Sequence, residues 1–249
     1  MHPGDHLKGV VRVGAFGGLF LSLIGTCVIW TGTDAFNCSA IIWQSSLEVN
    51  LVAFILTWAI YFPFRNTDRL LGHGMISILM LVSLFWLFGF SMFYFYFLFS
   101  PISALARFSV LTGFTGMLFY RAYIITDDIK KAFQRDKELF RRMYVDEGTC
   151  ITYSQYSYSF LQEARKDRNP FKSIHAYVAI AVAPFVLVLN RLLAPVVGEG
   201  HGIFMISAFL TAPILIWGTD MFVQTIVTTI YYPIKLERQS GKPVLTKGW

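Results

Sequence analysis

Charged side chains are missing from long stretches of this chain, and those stretches have the length of membrane spans. Val13–Thr33 runs 21 residues without a charge, and Leu70–Ala106 runs 37. A helix needs roughly 20 apolar residues to cross about 30 Å of hydrocarbon at ~1.5 Å per residue. Lipid offers the backbone no hydrogen-bonding partner, so a span is a helix or part of a closed barrel. Barrel strands alternate over about 10 residues; these runs are continuous, and helices are expected.

The pattern predicts six helices. The first covers about Val13–Trp30, and the second about Val49–Phe64, where Pro63 closes it before Arg65. The run Leu70–Ala106 is too long for one span and breaks at Ser100-Pro101, because proline suits a helix start and not its interior. A third helix near Gly74–Phe99 and a fourth near Ile102–Ile125 follow. The fifth begins after Asn169-Pro170, at about Ser173–Leu193, and the sixth runs from Ile203 to between Gln224 and Tyr231.

Composition agrees: 55% of the 249 residues are hydrophobic and 14% are charged. A soluble domain carries about 25% charged residues. A soluble enzyme, a disordered chain and a coiled-coil or collagenous rod are excluded. Three cysteines exclude a disulfide-dense scaffold, and Cys27, Cys38 and Cys150 fall in different compartments of the expected map.

The net charge of +6 sets orientation. With the amino terminus inside, 19 lysines and arginines lie on the cytoplasmic side and two, Arg107 and Arg191, lie outside. Positive charge is retained on the cytoplasmic side, so both termini are placed there. The expected fold is therefore an all-α integral membrane protein with six transmembrane helices. Helices 1–4 occupy residues 1–126, a cytoplasmic amphipathic helical segment 127–172, helices 5–6 173–232, and a cytoplasmic tail 233–249. The first span is not read as a cleaved signal peptide, and a plasma (inner) membrane address is expected. No basic patch interleaved with aromatics points to nucleic acid.

Asp127–Tyr144 (DDIKKAFQRDKELFRRMY) has apolar residues at near-helical spacing, and Gly148 reads as its stop. Tyr153, Tyr156 and Phe160 fit one face of a following helix. Phe133, Phe140, Tyr144 and Tyr156 are the expected contacts with the membrane surface or a protein partner.

Asp220 carries the only charge between Gly200 and Ile234. A carboxylate in hydrocarbon costs ~2.5–3.5 kcal/mol even on the insertion scale, so it must face protein or water. With Thr219 and Gln224 it is the candidate proton or ion site; the competing reading is a packing carboxylate hydrogen-bonded to hydroxyls or paired with Arg121. Gly14, Gly18, Ser22 and Thr26 repeat every four residues, a helix-packing stripe. The aromatic run Phe85–Phe99 suits lipid exposure or a buried centre. No metal-ligand spacing, phosphate loop or nucleophile elbow is present, so neither metal nor cofactor is expected. The favoured role is a non-catalytic subunit of a membrane assembly (secretion, conjugation or envelope machinery), in contact with the bilayer and with protein partners or further copies of itself. The alternative is a small proton- or cation-coupled transporter built on Asp220, with Asn190, Arg191, Thr112 and Thr115 lining the path.

Overall fold

The computed structural model describes residues 5–154, 156, 159, 161, 177, 178, 181, 185–197 and 201–246. Five helices among them are long and apolar enough to cross a membrane: α1 (Leu7–Ala35), α2 (Ile41–Phe64), α3 (Leu70–Phe99), α4 (Ala104–Arg135) and α7 (His201–Ser240). A multi-pass membrane protein is the architecture they make. Between α4 and α7 come the short helix α5 (Lys137–Met143), strands β1 (Tyr144–Asp146) and β2 (Ile151–Tyr153), and helix α6 (Val186–Val197); strand β3 (Val244–Thr246) follows α7. Of the expected fifth span, only residues 177, 178, 181 and 185–193 lie within the described residues, and Val186–Val197 is helical.

Helices α1, α4 and α7 continue past their apolar runs into polar ends, whereas α3 lies wholly within the uncharged run. Pro63 sits one residue before the end of α2. Ser100 leaves helical geometry after α3, with ψ 152, and the Ser103 hydroxyl caps α4 by accepting from Ala106 N at 3.3 Å.

Helix α3 is the central pillar. Gly14, Gly18 and Gly25 of α1 approach Ile76, Ser83 and Ser91 of α3 in ascending order, so these two helices run parallel. Phe93 stacks near Phe114 of α4 at 4.1 Å, and Phe85 meets Phe222 of α7 at 5.8 Å. Neighbours on all sides explain the all-round aromatic composition of α3. Its middle, Phe85–Tyr94, winds as a π-helix, and Ser91 Oγ donates to the carbonyl of Trp86, five residues back, at 2.9 Å. Helix α4 is the opposite case. Leu105 is 80% exposed and Phe119 74%, which an apolar surround such as lipid makes favourable.

The expected helical segment after α4 ends at Met143, and the chain then turns to β-structure. Tyr144, Val145 and Asp146 pair antiparallel with Tyr153, Thr152 and Ile151, and Ile151–Tyr153 pairs parallel with Val244–Thr246. Gly148 is therefore not a helix stop. Its φ of +89 serves the hairpin turn, where its N–H donates to Asp146 Oδ1 at 2.8 Å. Tyr153 lies in a strand, not on a helix face; Phe160 lies outside the described residues. The C-terminal segment is no loose tail: α7 continues to Ser240, and Thr246 N donates to Asp68 O at 2.8 Å. Lys242 Nζ bridges both oxygens of Asp146 at 2.7 Å, which holds that carboxyl below the usual carboxylate range, helped by the Gly148 N–H.

Candidate functional site

Helix α4 places Arg121 seventeen residues after Ala104, and α7 places Asp220 nineteen residues after His201. At ~1.5 Å per residue both lie about 25–30 Å along their helices, at one level roughly midway along each. There they form a two-point fork: Arg121 Nε donates to Asp220 Oδ1 at 2.8 Å and Nη2 to Oδ2 at 2.7 Å. The side chains are 19% and 15% exposed. Both carboxylate oxygens are thus held by one planar guanidinium, the strongest common geometry for such a pair.

Thr219 and Gln224 are buried beside Asp220 in sequence. The Thr219 hydroxyl donates to the carbonyl of Leu215 at 2.8 Å and is turned into its own helix. A cavity of about 380 Å³ lies between α3, α4 and α7. Its walls include Ala122 and Thr219, each next in sequence to one member of the fork, and Tyr94 and Thr115. These last two are bonded to each other through their hydroxyls at 2.9 Å. Two of the other residues expected to line a path bond elsewhere: Thr112 to the backbone of Phe108, and Asn190 Oδ1, which accepts from Ile203 N at 2.9 Å, at the start of α7.

The small-residue stripe of α1 is buried at Gly14, Gly18, Ser22 and Thr26. The structure sets it against α3 on one side and α2 on the other. Thr26 Oγ1 and Ser46 Oγ are 2.8 Å apart; Asn50 Nδ2 donates to Thr26 Oγ1 at 2.7 Å and to Ser22 O at 3.0 Å; Trp86 Nε1 donates to Ser46 Oγ at 3.1 Å. This network of three helices was not anticipated. Ser46 and Asn50 are four apart on α2, as Ser22 and Thr26 are on α1, and that matched spacing was the available signal. The expected start at Val49 leaves Ser46 outside the second span, whereas the helix begins at Ile41.

Three of the four rings expected on a contact surface face inward. Phe133 and Tyr144 are buried, and Phe140 is half-buried, in a core shared with Leu139, Met143, Ile151 and the sheet end of α7. Phe133 and Phe140 meet Tyr232 at 5.0 and 5.5 Å, and the Tyr144 hydroxyl donates to Thr228 O at 2.5 Å. Burial pushes the Tyr144 phenol well above its ordinary value. The amphipathic stripe finds an apolar partner within the chain, chiefly through buried Phe133 and Tyr144. Tyr156 is 59% exposed.

No group of three or more potential metal-binding side chains occurs among the described residues. Comparison with family models, characterised sequences and solved structures finds no match.

Proposed function

We propose that the chain is a non-catalytic subunit of a larger plasma (inner) membrane assembly, of the kind that serves secretion, conjugation or envelope machinery, with its termini and sheet on the cytoplasmic side. The observation that carries this reading is the Arg121–Asp220 fork. A proton or cation carrier needs a carboxylate that exchanges its partner during the cycle. Here both oxygens are occupied by a guanidinium that ties the mostly lipid-exposed α4 to α7. The α1–α2–α3 network is likewise satisfied by its own members. The partners of such a subunit are the lipid bilayer, other proteins or further copies of the chain, and exposed Tyr156 is available to them; no nucleic-acid role is proposed.

The transport reading keeps one supporting observation, the cavity whose walls adjoin both members of the fork. A double-mutant cycle separates the two. Asp220→Asn and Arg121→Gln each leave a partly buried group without its partner and lower the unfolding midpoint in mild detergent. The cost is at most the ~3–5 kcal/mol of a broken buried pair. The double variant recovers part of the loss, and no wild-type proton or cation flux is found in proteoliposomes. A wild-type flux that Asp220→Asn abolishes while the midpoint holds overturns the subunit reading in favour of transport.

A further inference from the structure

Among the described residues, two buried side-chain polar atoms have no hydrogen-bond partner: Ser100 Oγ and Arg107 Nε. They belong to one place. Arg107 Nη2 donates to the Ser100 carbonyl at 2.9 Å across the turn that joins α3 to α4, at the end of the bundle opposite the sheet. Ser100 is fully buried there. Tyr96, buried one turn earlier, interacts with the Ser100 hydroxyl without completing a hydrogen bond of good geometry.

An orphaned buried polar group costs about 1–3 kcal/mol, and more when it is charged. Arginine keeps its charge at all ordinary pH, and Arg107 makes no ion pair among the described residues. A bridging water answers the two orphans but leaves the cation unbalanced. An anion answers both. The guanidinium edge offers parallel N–H donors that match a phosphoryl group, and a serine hydroxyl beside it can donate to a further oxygen. The start of α4 adds the positive end of a 32-residue helix. The site also stands where two apolar helices end, which is the depth of lipid headgroups.

We propose that Arg107 and Ser100, with Tyr96 behind them, form a binding site for a phosphoryl oxyanion at the α3–α4 turn. The same chemistry is presented by a phospholipid headgroup and by free phosphate, and the test distinguishes them. The delipidated full-length protein in mild detergent is titrated with short-chain phosphatidylglycerol, with inorganic phosphate, and with a short-chain diacylglycerol that lacks phosphate, while the thermal unfolding midpoint is followed. The expected result is a saturable rise with phosphatidylglycerol and none with the diacylglycerol. The half-saturating concentration rises about tenfold or more in Arg107→Gln, by a smaller factor in Ser100→Ala, and stays unchanged in Arg191→Gln. A rise with inorganic phosphate as well identifies a bare oxyanion site; a rise with the lipid alone identifies a headgroup site. No rise with either phosphorylated probe, an equal rise with the diacylglycerol, or a wild-type titration in Arg107→Gln overturns the proposal. Should Arg107→Gln fail to fold, Arg107→Lys keeps the charge without the fork. Its half-saturation is expected several-fold above wild type, and equality with wild type rejects the site.

Discussion

Gly25 and Gly116 are the same residue in two spans, yet their surroundings ask opposite things of them. A Cβ built on Gly25 falls 2.6 Å from Ser91 Oγ, 3.3 Å from a Trp86 ring carbon and 3.4 Å from the Leu87 backbone. One built on Gly116 meets nothing within 4 Å. Gly25→Ala therefore pushes α1 away from the π-helical middle of α3 and strains the Trp86–Ser46 bond; overpacking of this kind costs about 1–3 kcal/mol. Gly116→Ala adds a methyl group to a lipid-facing surface and removes a flexible residue, so stability holds or rises by up to about 1 kcal/mol. Thermal unfolding of both variants in one detergent checks the contrast. The four-residue repeat from Gly14 to Thr26 was readable because it lies on a single helix. What it packs against was not: Ile76 and Ser83 lie in the aliphatic start of α3 and Ser91 in its aromatic run, and although they stand seven and eight residues apart, nothing in the sequence pairs them with the repeat on α1. Asp220 stood out as a charge in an apolar run, but its geometry with Arg121 depends on two helices separated by 99 positions.

Among the elements, the long helices were legible and the sheet was not. Uncharged length marks a span regardless of neighbours, whereas strands of three residues earn their order only from what they pair with. Tyr144-Val145-Asp146 and Ile151-Thr152-Tyr153 carry the β-branched and aromatic residues of a hairpin around Gly148, yet the first continues a helical spacing begun at Ile129. The partner that decides the matter, Val244–Thr246, is about 90 residues away. The Asp146–Lys242 bridge fastens this junction, and its pH dependence has a definite sign. The folded carboxyl titrates below its ordinary value of about 3.9. The bridge therefore contributes in full above that value and is lost as pH falls through the lower, folded one. Amide hydrogen exchange in Val244–Thr246 should be slow at neutral pH and faster in Asp146→Asn at the same pH. A strand equally protected in the variant would show that β3 is held by its strand pairing and the Thr246–Asp68 bond alone.

At the scale of the molecule, the order of contacts fixes how the chain threads its bundle. Arg121 meets Asp220 and Phe133 meets Tyr232, so α4 and α7 run in the same direction. His201, at the start of α7, stacks on Phe36 at the end of α1 with ring centres 4.6 Å apart, far from the sheet. Tyr153 lies at the sheet end, and Asn190, whose Oδ1 accepts from Ile203 N, lies at the opposite end. Native cysteines test the threading without mutation. Cys38 lies in the turn after α1, Cys150 in the β1–β2 hairpin, and Cys27 within α1. A membrane-impermeant maleimide added to sealed vesicles of one orientation should label only one of Cys38 and Cys150, and inverted vesicles should label the other. Burial raises the Cys38 thiol above its ordinary value, so less of it is thiolate at neutral pH and its labelling should accelerate as pH rises. A reporter after Trp249 must share the face of Cys150, because β2 and β3 are hydrogen-bonded neighbours and cannot be divided by a bilayer. Labelling of Cys38 and Cys150 from the same face would require the bundle to enter and leave the membrane on one side, and the parallel pairing of α4 with α7 would have to be abandoned with it.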